Sequence, residues 1–160
     1  MDIVKMPRMQ KSEYDRLIEE QYVCRIAFKG KTHPYIAPFI YIFDSRFMYF
    51  LSTKYGRKVE HFRDNPSVAV EVERYSYDLS NFSFVSLFGR IIEVEAMEDR
   101  QMVRKMFIEM IKSRRLSLNV LTALGLSPDE PLESILSEDR NIVWKLVDVK
   151  EIMGLRDPSS

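Results

Sequence analysis

Cysteine is almost missing from this 160-residue chain: Cys24 is the only one. A lone thiol excludes an intramolecular disulfide framework and fits a reducing compartment. Histidine is nearly as scarce. His33 and His61 stand scattered from Cys24 without metal-ligand spacing, so no metal, zinc included, is expected. An excess of one charge is lacking too. Lys and Arg total 24 and so do Asp and Glu, which leaves no electrostatic case for nucleic acid or an anionic membrane as partner. No apolar run approaches the roughly 18 residues of a membrane span. Met1 to Arg8 carry charge where a secretory leader would be apolar. The expectation is a soluble, cytoplasmic protein. With no repeat, low-complexity tract or linker, residues 1–160 read as one domain.

What is present is apolar content, 46%, enough for a real core at this length. Ser12-Glu13-Tyr14-Asp15 has the form of a capping box, with Asp15 a shorter substitute for Glu. The helix it opens faces Leu17 and Ile18 inward and ends near Gln21. Tyr22–Phe28, Tyr35–Phe43 and Phe47–Leu51 read as three strands in hairpin-length succession. Pro34 and Pro38 bracket the start of the second, which marks an edge or bulge where not every N–H pairs. Gly56–Arg63 reads as a short helix with Val59 and Phe62 on one face, closed by Asn65-Pro66. Val68–Glu73 is a fourth strand. Phe82–Val94 is a fifth, interrupted at Gly89 by a bulge or barrel bend.

Asp99–Arg115 is a helix with an apolar stripe of Met102, Val103, Met106, Phe107, Met110 and Ile111, read as a core face. Leu116–Leu126 is a less regular helical piece ending at Gly125, and Ser127-Pro128 starts a short helix to Leu136. Asn141–Val149, with Trp144, is the sixth strand. Six strands in mostly antiparallel succession, with helices gathered late, argue a small barrel of α+β, mainly β, class with a helical insertion at about 99–138.

The densest chemistry lies in Phe47-Met-Tyr-Phe-Leu-Ser-Thr-Lys-Tyr-Gly-Arg-Lys58. A strand ends in two hydroxyls and passes through a glycine into adjacent cations, the parts needed to hold a phosphate. A first-turn lysine conflicts with the helix dipole, and a bound anion would offset that.

Together with Cys24-Arg-Ile-Ala-Phe28 and His33-Pro-Tyr-Ile-Ala-Pro-Phe39, this stretch resembles the FMN-binding split-barrel family of pyridoxamine 5'-phosphate oxidase and the nitroimidazole-reductase-like flavin-nucleotide-binding proteins. The likeness covers about Glu13 to Val94 and, weakly, the last strand; no motif covers Met102 to Arg140. It implies a six-stranded antiparallel split barrel with peripheral helices, and a homodimer with FMN in clefts at the subunit interface. Arg25 would then neutralise the FMN phosphate, and the backbone of Ile26, Ala27 and Phe28 would line the flavin's polar edge. Ser52 and Thr53 would donate hydroxyls to the phosphate or ribityl chain, with Arg57 and Lys58 as its cations. Each has a plainer alternative: Arg25 pairing with a neighbouring carboxylate, Lys58 as helix surface.

Departures narrow the activity. The oxidase has a lysine five residues after the strand arginine, where this chain has Gly30. It has a glutamine five residues before the bend glycine, where Phe84 stands, and its C-terminal arginine-histidine signature is missing. The resemblance therefore implies a flavin-dependent oxidoreductase for a small organic substrate, not a pyridoxamine phosphate oxidase. A non-catalytic flavin-binding or storage protein is the alternative, and a haem-handling barrel a weaker one; deazaflavin in place of FMN stays open. No catalytic residue is carried over. Tyr55 could cover the cofactor or cap the barrel, and Trp144 reads first as packing. His33 could donate a proton but reads as surface, and Cys24 reads as a buried strand thiol.

Overall fold

The computed structural model describes residues 2–159. Its strands are β1 (Val23–Phe28), β2 (Tyr35–Phe43), β3 (Met48–Thr53), β4 (Ser67–Tyr75), β5 (Phe82–Glu93) and β6 (Asn141–Arg156). They close an antiparallel barrel in the order β1-β2-β3-β6-β5-β4, the mainly β architecture expected from the sequence. Alternation decides what fills it. Cys24, Ile26 and Phe28 of β1, Phe39 and Tyr41 of β2, and Val68, Val70 and Val72 of β4 share one interior cluster. Trp144 is fully buried there, with the rings of Phe62, Phe39 and Phe28 at 4.9, 5.8 and 6.2 Å. Burial also pushes the Cys24 thiol well up, which leaves no basis for a reactive thiolate.

Helices plug both ends. Helix α1 (Lys11–Glu20) buries Leu17 and Ile18, and the Tyr41 hydroxyl donates to the Ile18 carbonyl at 2.6 Å. Its N-cap is Gln10 rather than Ser12. Glu13 reaches back to the Gln10 N–H at 3.3 Å, while the shorter Asp15 is drawn into an ion pair with Lys11. Helix α2 (Arg57–Asp64) closes the other end with Val59 and Phe62.

β5 shifts register between Phe88 and Arg90, the bulge expected at Gly89, where a Cβ would lie 2.6 Å from the Val147 carbonyl oxygen. β6 continues past Val149 to Arg156. After Asp148, whose φ is +51°, it re-pairs with β5 from Phe88↔Glu151 to Ser83↔Arg156. The charged run around Asp148 hides that extension from a local reading.

A second cluster lies outside the barrel, where Ile42, Tyr49, Leu51 and Val143 face α3 (Met97–Ser113) and two 3-10 segments, Leu118–Leu124 and Leu132–Leu136. The expected stripe on α3 is rotated. Val103, Phe107, Ile108 and Ile111 are buried, Met102 is 51% exposed, and Arg104 is buried completely. The Arg104 guanidinium donates to the carbonyls of Ile135 and Asn141, each at 3.0 Å, to the Asn141 side chain, and to Glu138 at 3.3 Å. A buried cation is tolerable only with such partners, all of them distant in sequence. Residues 127–131 form a single turn, closed by Glu130, which donates its N–H to the Ser127 carbonyl at 3.0 Å and accepts from the Ser127 N–H at 2.6 Å; Pro131 has no N–H to carry the turn on as a helix.

β2 pairs with β1 from Tyr35 to Ile40 but with β3 only from Tyr41 to Phe43, so the barrel is split beyond Tyr41. The Tyr41 N–H donates toward β1, to Tyr22 at 3.0 Å. Alternate residues share that direction, so position 38 turns its backbone nitrogen to the split, where proline has no N–H to leave unpaired.

Candidate functional site

At the split, β3 ends in Ser52-Thr53 and passes through Tyr55 and Gly56, whose φ of +109° suits glycine, into α2. Gly56 is the N-cap and no side chain caps the helix, so the first N–H groups, from Arg57 onward, are left for a ligand or solvent. Arg57 is exposed. Lys58 is half-buried, its ammonium 5.2 Å from the centre of the Phe39 ring. Among the described residues neither has a carboxylate within 4.0 Å. Burial holds the Lys58 pKa below the usual ammonium value, the mark of a cation desolvated without a counter-charge. An uncapped helix start beside such a cation has the donors and the charge to hold an anion.

The two hydroxyls are already engaged. Ser52 is wholly buried and donates to the Thr53 carbonyl at 2.9 Å; Thr53 donates to the Tyr55 carbonyl at 2.9 Å. They shape the turn, and the donors facing outward are the helix N–H groups and the two cations. Tyr55 is 75% exposed beside this turn, and α2, not Tyr55, caps the barrel.

β1 carries the other expected contacts, on the far side of β2. Arg25 is ion-paired to Glu73, and to Glu71 at 3.6 Å, with its side chain half-exposed. Burial and the neighbouring Glu73 push the Glu71 carboxyl up, and its Oε1 has no hydrogen-bond donor. The backbone of Ile26, Ala27 and Phe28 sits in register with β2 on one side and β4 on the other. The side chains of Ile26 and Phe28 point into the barrel, leaving Ala27 as their outward surface. The structure thus brings Ser52, Thr53, Arg57 and Lys58 together, and places Arg25 one strand away, opposite the Pro38 that borders the gap at Lys58.

Two residues without a local sequence signal join the first group. Ala123 and Leu124 of the helical insertion line a gap of about 140 Å³ with Lys58, Phe39, Pro38 and Leu51. Asn141 fixes that wall by donating to the Leu124 carbonyl at 3.0 Å. A larger cavity, about 600 Å³, opens on the outer side of β1 and β4, over Ala27, Ala69 and Phe88. His33 stands on its rim. Gly30 is locked there, since a Cβ would sit 1.8 Å from the His33 carbonyl oxygen. Among the described residues no cluster of potential metal ligands occurs, and no helix is long and apolar enough to cross a membrane.

The sequence profile of the pyridoxamine 5'-phosphate oxidase family matches residues 10–130. No curated protein matches the sequence. Among solved structures the fold is similar to that of a FAD-binding protein of Mesorhizobium loti, 17% identical over 95% of this chain and 96% of that one, with a TM-score of 0.68. It is also similar to a FAD-binding protein of Mycobacterium smegmatis, 13% identical over 94% and 97%, TM-score 0.61. A haem storage protein of Vibrio cholerae shares it too, at 11% identity over 91% and 94%, TM-score 0.63.

Proposed function

Because this chain belongs to the pyridoxamine 5'-phosphate oxidase family, we propose that it binds FMN through its phosphate at the start of α2. The observation that carries the reading is Lys58, half-buried and without a carboxylate beside the exposed Arg57 and an uncapped helix terminus. Arg57 and Lys58 would neutralise the phosphate, and the first helix N–H groups would donate to it. Arg25, engaged by Glu73, stands outside this set. A flavin bound here would supply hydride chemistry. The chain's own part is to hold it, orient it across the split and keep the Ala123–Leu124 wall beside it. We read the activity as flavin-dependent oxidation or reduction of a small organic molecule in the cytoplasm. Pyridoxamine phosphate is not the substrate in this reading, because Gly30 has no room for the lysine the oxidase uses.

We further propose a homodimer. Among the described residues no helix covers the outer side of β1, β4 and β5, where Val23 is 47% and Phe88 39% exposed, with Ile36 of β2 62% exposed beside them. A second copy on that side would complete both flavin sites. Sedimentation of the FMN-loaded protein should show a dimer; a stable loaded monomer overturns that arrangement.

Titration with FMN, riboflavin, FAD and haem tests the cofactor. FMN should bind far more tightly than riboflavin, and Lys58→Met should weaken FMN by about 1.5–3 kcal/mol, the scale of a hydrogen bond to a charged group. Equal affinity for riboflavin sinks the phosphate assignment, and haem binding without flavin binding replaces the reading altogether. A bound flavin that no electron donor can reduce and no acceptor reoxidise leaves storage as the function.

A further inference from the structure

We propose that the outward face of α3 pairs with the same face of a second copy of this chain, antiparallel about a twofold axis. This contact rests on neither the flavin reading nor the homodimer proposed above. It lies across the barrel from that dimer's face, because α3 covers β2, β3 and β6 whereas the dimer would cover β1, β4 and β5.

The rotation of α3 that buries Arg104 leaves hydrocarbon on the outside. Met97 is 63% and Met102 51% exposed, and Met106 is half-buried. With Gln101 they line an open groove of about 720 Å³ along the helix, and among the described residues no other element contributes to it. Methionine is flexible and polarisable, which suits it to a contact that must adapt, and it is enriched at interfaces between chains.

The charges in the groove identify the occupant. Glu98 and Lys105 are both exposed, and a spacing of seven residues puts them on one face of the helix. Two turns, about 10.5 Å, separate them along the axis, too far for one to satisfy the other within a single copy. Among the described residues neither has an ion-pair partner within 4.0 Å. A twofold axis midway between Gln101 and Met102 is also midway between Glu98 and Lys105. It therefore sets Glu98 level with Lys105 of the second copy, and Lys105 level with Glu98 of the second copy. The two Met102 side chains meet at the axis, with the Gln101 amides beside them. A parallel copy would set Glu98 against Glu98 and Lys105 against Lys105, so charge selects the antiparallel arrangement. In such an isologous contact every interaction is made twice. One helix face is small beside the roughly 800 Å² per partner of a standard interface, so the pairing should depend on concentration.

Cross-linking and sedimentation test this. On mild oxidation Met102→Cys should link two copies through a disulfide, whereas Lys112→Cys, beyond the overlap, should not; Cys24 is buried and does not compete. Sedimentation over a concentration series should show the mass doubling, from monomer to dimer, or from dimer to tetramer where the sheet face is also paired. Glu98→Lys or Lys105→Glu alone sets like charges level and should raise the concentration for half-association roughly tenfold or more. The double variant Glu98→Lys/Lys105→Glu should bring it back toward that of the wild type. Both positions are exposed, so these variants keep the barrel's packing. No link through Met102→Cys, no doubling of mass, or a double variant no better than the single ones overturns the proposal. A dimer indifferent to all of these substitutions belongs to the sheet face, and it overturns the α3 contact while leaving the other homodimer standing.

Discussion

On β3 and β6 the outward residues Tyr49, Leu51 and Val143 are all buried beneath α3 and the 3-10 segments. On β1 and β4 the corresponding positions are Arg25, Ala27, Ala69, Glu71 and Glu73, none of them buried. The inward residues do not differ in kind between the two sides. Alternation is thus a property of the barrel, but the outward half of each strand records its surroundings: hydrocarbon where a helical layer is tethered, small and charged side chains where something else is to be met. Each side also has its arginine. Arg104 is sealed among carbonyls, Asn141 and Glu138, whereas Arg25 lies half-exposed between Glu73 and Glu71.

Truncating these two arginines should separate the sides most sharply. Arg104→Ala strands the Asn141 side chain and the carbonyls of Ile135 and Asn141 in a buried site, and should cost about 3–5 kcal/mol in urea unfolding, although Glu138 keeps Arg100 and Gln101. Arg25→Ala removes an exposed pair and should cost at most about 1 kcal/mol. A cost for Arg25 comparable to that for Arg104 would mean that the open side is itself buried in solution, and would favour the dimer.

Carboxylates on the two sides should respond to pH with opposite sign. Glu138 is partly buried, which works against its charge, but hydrogen bonds from Gln101 and Arg100 and the charge of Arg104 hold its pKa below the ordinary 4.5. Its contribution is present above that value and is lost as pH falls through the lower folded one. Burial and Glu73 raise Glu71 above the ordinary 4.5, so its contribution is full below 4.5 and is lost as pH rises through the folded value. Near neutrality Glu138→Gln should therefore destabilise and Glu71→Gln slightly stabilise, with each variant flattening its own part of the stability–pH curve. Same-signed effects in thermal melts at pH 7 would break the contrast.

Much of this architecture was legible in local pattern. β2 spans Tyr35–Phe43 as its β-branched and aromatic run indicates, Gly89 sits at the bulge, and Gly125 ends its 3-10 segment with a φ of +78°. What was hidden depends on partners far along the chain. The α3 stripe turns because Arg104 finds carbonyls on 135 and 141, and β6 outruns its apolar stretch because β5 lies ready to pair with it. At the site, the turn that gathers Ser52, Thr53, Arg57 and Lys58 was readable within one segment, whereas which carboxylates Arg25 meets and the Ala123–Leu124 wall were not. Cross-strand register alone decides which charges meet, and no spacing within one segment encodes it.

Pro38, placed where β2 leaves β3, bears on how the protein behaves when crowded. A strand edge open to solvent is a template onto which another chain can add a strand, the first step toward fibres. The split needed for an open cleft creates such an edge. Proline removes a donor from the middle of it, and Ala123 and Leu124 stand over the same stretch. The cleft can stay accessible to a small molecule while being a poor seed for polymerisation, and Pro38→Val should convert it toward one without altering the barrel's interior.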